Sequence, residues 1–305
     1  MRTSTQAWPL KTREIRNCIC DSTRWNGFRF RTDDVVIATY GKSGTTLMQQ
    51  IVGQLIFRGA ALDTSMHEKS PWVDMRMPTL QEVMDQLEAQ QHRRFMKTHL
   101  TLDALVFSPL AKYVYVGRDG RDTVWSLYNH HAGYTPQMYE MINSIPGRVG
   151  PPLEPPSGDV VLYFREWLQG GGHPLGGTFW EHNQQWWNIR HLPNVLFVHY
   201  NNLRADLPGE MRRIGKFLEI EIDETRFPAM VESCAFESMR KAAAERAPMM
   251  NVVWEKGAYT FFNQGTNGRW RDVLSAADVQ LYEETARANL TPDCAHWVAT
   301  GEMAG

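Results

Sequence analysis

The run Val35–Phe57 constrains this chain more than any other stretch. Val35, Val36, Ile37 and Ala38 form a short apolar, β-branched run that fits a buried parallel strand. Tyr40-Gly41-Lys42-Ser43-Gly44-Thr45-Thr46 follows as a tight turn. Leu47, Met48, Ile51, Val52, Leu55 and Ile56 then recur on one face of a helix. A strand, a glycine turn and a helix start leave backbone N–H groups unpaired, where the helix dipole favours negative charge. Lys42 adds a positive charge, and the Thr45 and Thr46 hydroxyls add donors. The turn therefore reads as a phosphate cradle rather than a plain solvated loop. It is not the G-x-x-x-x-G-K-[ST] loop of nucleoside triphosphatases, because Ile37, not glycine, stands five residues before Lys42.

Three more strand-like runs follow. Arg94–His99 ends in Lys97-Thr98-His99, which sets a lysine and a histidine on one side of a strand end. Tyr113–Val116 leads into Gly117-Arg118-Asp119-Gly120-Arg121-Asp122 and a helix, with Asp122 the expected N-cap. Asn194–Tyr200 is the last. Ligands of open α/β sheets sit beyond the carboxyl ends of such strands. Phe179, Asn183, Trp186 and Trp187 share one helix face, read as core. Tyr134–Asp159 is rich in glycine and proline and reads as a long structureless loop, either a lid over an acceptor pocket or a surface excursion.

The formal net charge of −2 excludes a general nucleic-acid binder, so the anion site is local. Cys18 and Cys20 are too close for an ordinary bridge and no C-x-x-C occurs, which points to free thiols and a reducing compartment. No signal-type core or membrane-length apolar run appears, so a cytoplasmic protein without a membrane span is expected. No carboxylate cluster stands ready for a divalent cation, and no metal is expected.

Thr39–Thr46 resembles the T-Y-P-K-S-G-T-T-W loop of the cytosolic sulfotransferases, here as a bacterial-type member, which use 3′-phosphoadenylyl sulfate (PAPS). Gly41 replaces the usual proline, and Leu47 replaces the tryptophan that stacks on adenine. Further segments resemble that family in order. Lys97-Thr98-His99 matches its K-x-H, which carries the base and a transition-state lysine. Arg118 and Ser126 match the residues that hold the 3′-phosphate. Tyr200 matches an adenine-contacting tyrosine, and Phe236 an adenine-stacking ring. Phe262–Arg271 resembles F-x-R-K-G-x-x-G-x-W-[KR], with Asn263 and Gln264 in the two basic places before Gly265. Amides donate hydrogen bonds without charge, which should weaken PAPS binding unless Arg269 reaches back.

The resemblance implies one α/β domain over residues 1–305, a central parallel β-sheet flanked by helices with a P-loop-like phosphate-binding loop. Residues 1–34 form a lead-in anchored by Trp8, Trp25 and Phe28, and 134–178 form lid or substrate loops. It implies a PAPS-dependent sulfotransferase acting on a hydroxyl or amine of a small apolar or aromatic acceptor. In that reading His99, Lys42 and Lys97 are catalytic. The nucleotide is held by Lys42, Ser43, Gly44, Thr45, Thr46, Arg118, Ser126, Tyr200, Phe236, Asn263, Gln264 and Gly265. The alternatives are a small-molecule kinase using ATP and Mg²⁺, or a non-catalytic nucleotide-binding relative. The sequence leaves the oligomeric state open.

Overall fold

A computed structural model describes residues 7–60, 66–170 and 175–303. Its sheet has four parallel strands: β1 (Val35–Thr39), β2 (Phe95–Thr98), β3 (Lys112–Gly117) and β4 (Val195–His199). They lie in the order β2-β1-β3-β4. Strand alternation divides the core. Val35, Ile37, Val114 and Val116 face a helical layer that contains Met48, Ile51, Ile214 and Leu218. Val36, Ala38, Tyr113, Tyr115 and Phe197 face the opposite layer, rich in Trp186, Trp187 and Trp297. Both faces are covered, as an all-parallel sheet requires.

The strands begin on a buried ion pair. Arg94, just before β2, donates from Nε and Nη2 to the two oxygens of Asp34, just before β1, at 2.8 and 2.6 Å. Both side chains are almost fully excluded from solvent. This two-pronged bond aligns β1 and β2, and so the ends of both strands where the site lies. The chain reverses strand order at β1, whose neighbours are β2 on one side and β3 on the other. Such a switch opens a crevice at the carboxyl edge.

The helix α1 (Thr45–Ile56) starts from Gly44, at φ 118°, with no side-chain cap. A Cβ on Gly44 would lie 2.9 Å from the Tyr200 ring, so the turn needs glycine twice over. The helix α2 (Leu80–Glu88) starts from a Thr79–Glu82 capping box. The helix α3 (Gly120–Ala132) is capped by Asp119, which accepts from the Arg121 N–H. Asp122, the expected cap, does something else: it accepts from the Gly268 N–H at 2.6 Å and fastens a distant loop.

The expected loop Tyr134–Asp159 is helical in its first third. Thr135 caps α4 (Pro136–Asn143) and Pro136 supplies a preset first turn. Met138 and Ile142, four apart, are buried. Asn143 then holds the irregular remainder through both atoms of the Leu153 peptide. The helices α5 (Val160–Leu168) and α6 (Phe179–Trp187) follow. Within the expected lid or substrate loops of 134–178, residues 171–174 lie outside the described residues. The aromatic face of α6 is core, as expected: Phe179, Asn183, Trp186 and Trp187 are all buried. Tyr200 does not end a strand; it opens the short helix Tyr200–Ala205. Further on, α7 (Leu207–Leu218) covers the sheet and α8 (Phe236–Arg246) borders the crevice. All four cysteines are free and buried.

Candidate functional site

One cavity of about 830 Å³ opens at the carboxyl ends of the strands. Its wall includes Lys42, Gly44, Thr45, Thr46, Lys97, His99, Arg118, Ser126, Tyr200, Phe236, Asn263, Gln264 and Gly265. The structure thus brings all the sequence-predicted site residues but one to a single surface. The exception is Ser43. It is buried within the loop, and its hydroxyl has no hydrogen-bond partner among the described residues.

The positive end of the site is built from three elements. The start of α1 presents uncapped first-turn N–H groups. Lys42, at φ 66°, brings its ammonium 4.4 Å over the Phe261 ring and 3.3 Å from His130 Nδ1. Lys97, in β2, stands 5.4 Å over the Trp72 ring. Burial, then the charges of Arg118 and Lys97, push Lys42 down to about 7. Burial takes Lys97 to about 8, with Asp74 acting in the opposite sense. Buried cations gathered this way, with Asp74 only partly offsetting Lys97, make an anion site.

His99 lies beside them. Its Nδ1 is 2.8 Å from the Thr39 carbonyl oxygen, which can only accept. Nδ1 therefore carries the hydrogen, and Nε2 keeps a lone pair. The Trp72 ring meets the imidazole edge-on at 4.6 Å. Burial, then Lys97, hold His99 down to about 3, so it is neutral near pH 7. Asp74 organises this corner from below. One carboxylate oxygen accepts from Trp72 Nε1 at 2.6 Å and from the His99 N–H at 3.1 Å. The other accepts from Trp25 Nε1. The lead-in anchor Trp25 thus reaches the site through Asp74.

Arg118 is buried and stacked 4.4 Å from the Tyr200 ring. It donates to the Lys42 carbonyl at 3.1 Å and to Asn267 Oδ1 at 2.6 Å. Asp122 holds the next residue of that loop, Gly268. These bonds bring residues 263–268 against the carboxyl end of β3. Within the loop Gly265, at φ 64°, lies so close to Phe236 that a Cβ would approach the ring to 2.5 Å. Arg269 Nη1 donates to Asn263 Oδ1 at 2.9 Å. Arg269 and Arg204 both line the cavity.

The other half of the cavity is apolar. Met75, Met77, Met138, Met239, Met249 and Met250 contribute to it, with Trp72, Trp254 and Phe262. Sequence reasoning missed His130, Trp72, Asp74 and Asn267. His130 carried a signal, since it falls one helical turn after Ser126 and shares its face.

The family profile described as a sulfotransferase domain matches residues 32–292. A glycolipid sulfotransferase of Mycobacterium bovis is 31% identical over 315 residues, covering 96% of each chain. Sulfotransferase 1A1 of Rattus norvegicus is 25% identical, covering 86% of each. Among solved structures, retinol dehydratase in a complex with retinol and PAP superposes with a TM-score of 0.69 at 23% identity. It covers 88% of this chain and 84% of its own.

Proposed function

The chain belongs to the sulfotransferase family, and from that premise we propose that it moves a sulfuryl group from PAPS to a hydroxyl of a large apolar acceptor. The observation that carries this reading is the juxtaposition of His99, Lys97 and Lys42 with the uncapped start of α1, at the mouth of an apolar cavity. The residues fit an anionic nucleotide: three buried or half-buried cations, orphan N–H groups and, in the Gly41–Thr46 turn itself, no carboxylate.

The α1 start with Thr45 and Thr46 binds the 5′-phosphate, and Arg118 with Ser126 binds the 3′-phosphate. Asn263 and Gln264 add uncharged donors, while Arg269 and Arg204 supply nearby charge. Tyr200 and Phe236 contact the base, and Leu47 packs where the family carries tryptophan. The negative charge of the nucleotide offsets Lys42 and Lys97 and so restores basicity to His99. His99 Nε2 then takes the acceptor proton as the acceptor oxygen attacks sulfur. The bond from sulfur to the 5′-phosphate oxygen breaks, and Lys42 and Lys97 stabilise the charge that collects there. His99 afterwards returns the proton to solvent.

The acceptor half favours a flexible apolar molecule, because methionine walls adapt to long, irregular shapes. The mycobacterial relative is named a glycolipid sulfotransferase, which supports an acceptor of lipid character. Labelled PAPS offered with lipid-like alcohols and with simple phenols tests the reading. Transfer is expected to favour the former and to vanish in His99→Ala while nucleotide affinity stays. Loss of nucleotide binding together with turnover would contradict the role given to His99.

A further inference from the structure

Lys42 is held by a residue that nothing above assigns to the reaction. His130 sits on the last turn of α3, one turn beyond Ser126. Its Nδ1 is 3.3 Å from Lys42 Nζ, and its Nε2 is 3.0 Å from the Tyr134 hydroxyl. The Trp254 and Phe261 rings pack on the imidazole, at 5.1 and 5.8 Å between centroids. Phe261 also carries the Lys42 ammonium on its face. Tyr134 in turn is buried with Met138 against the apolar half of the cavity.

Donor logic orders the chain. An ammonium only donates, so His130 Nδ1 accepts and Nε2 bears the hydrogen that goes to Tyr134. His130 is thus the opposite tautomer to His99. Its chemistry also suits the place. A carboxylate at that point would cancel the Lys42 charge and compete with the nucleotide, whereas a neutral imidazole fixes the ammonium and leaves its charge intact. Lysine is a compact charge on a flexible four-carbon stem, so its location depends on what holds it.

We propose that His130 is a positioning residue that holds the Lys42 ammonium at the boundary between phosphate cradle and acceptor cavity, where the sulfur-bearing bond breaks. Through Tyr134 it ties that lysine to the acceptor wall. The proposal rests on the sulfotransferase reading above.

Three variants and one spectrum test it. His130→Phe keeps an aromatic body and removes the acceptor; His130→Asn returns an acceptor oxygen near the place of Nδ1. We expect His130→Phe to lower kcat about tenfold, with acceptor KM and calorimetric affinity for 3′,5′-adenosine bisphosphate within about threefold. His130→Asn should recover most of kcat, and Tyr134→Phe should fall between. Imidazole ¹⁵N NMR of the wild-type protein at about pH 6, where Lys42 is an ammonium, should show His130 as the Nε2–H tautomer. Wild-type turnover in His130→Phe, or equal impairment of His130→Asn, would overturn the proposal, as would an Nδ1–H signal. A wild-type protein that neither binds the bisphosphate nor transfers sulfate would instead sink the sulfotransferase reading, and the tautomer would still decide the Lys42 contact.

Discussion

Nucleotide binding should draw protons into the site, by an amount the geometry sets. In the empty protein burial and neighbouring cations hold Lys42 at about 7 and burial holds Lys97 at about 8. A bound bisphosphate supplies the missing counter-charge and drives both lysines to the ammonium form. At pH 7.5 the empty site lacks about 0.8 proton on Lys42 and about 0.2 on Lys97, so binding takes up about 1.0 proton. At pH 8.5 the uptake rises to about 1.7. The phosphates themselves are almost fully ionised at both pH values, since their second pKa is about 6. The sign follows: both lysines bind protons more tightly in the complex, so affinity falls as pH rises. The fall steepens from about tenfold per pH unit at 7.5 to about fiftyfold at 8.5. Titration calorimetry in buffers of different ionisation enthalpy reads the uptake directly. Lys42→Ala should leave about 0.8 proton at pH 8.5, the share of Lys97 alone. Uptake near zero in the wild type at both pH values would refute the claim that these lysines face the nucleotide.

Two more expectations concern the frame and the loop. Asp34→Ala leaves the buried Arg94 guanidinium with only the exposed Glu88 carboxylate and the Arg29 carbonyl as partners and should lower stability by about 3 kcal/mol in urea denaturation; a loss under about 1 kcal/mol would mean that Glu88 alone compensates the charge. Gly265→Ala meets both a positive φ and the Phe236 ring, so it should displace the loop and weaken bisphosphate binding about tenfold. Unchanged affinity by calorimetry would show that Phe236 and this loop stand clear of the nucleotide.

The parts of the molecule legible in the sequence are those written in local pattern. Val35–Ala38, the glycine turn and the apolar face of α1 each state their own structure, and the strand that ends in Lys97-Thr98-His99 does the same. Contacts between distant residues were not legible. Lys42 and His130 lie 88 positions apart, and Arg118 and Asn267 lie 149 apart. Nothing in the spacing of either pair announces the bond. Asp119 and Asp122 compete for one helix start, and only the arrival of Gly268 shows why Asp122 is taken elsewhere. The α4 helix has its own local signal, since Thr135-Pro136 is an N-cap followed by a first-turn proline, with Met138 and Ile142 on one face. The glycines and prolines beyond it gave the whole stretch the look of a loop.

The central claim is that the cradle and the Arg118 pole together form a site for a nucleotide that carries phosphate at both the 5′ and 3′ positions. Calorimetric titration with 3′,5′-adenosine bisphosphate and, in parallel, with 5′-AMP tests it most directly. We expect the bisphosphate to bind about a hundredfold tighter, the worth of two charge-assisted bonds from Arg118 and its neighbours. Equal affinities, or none, would contradict the account.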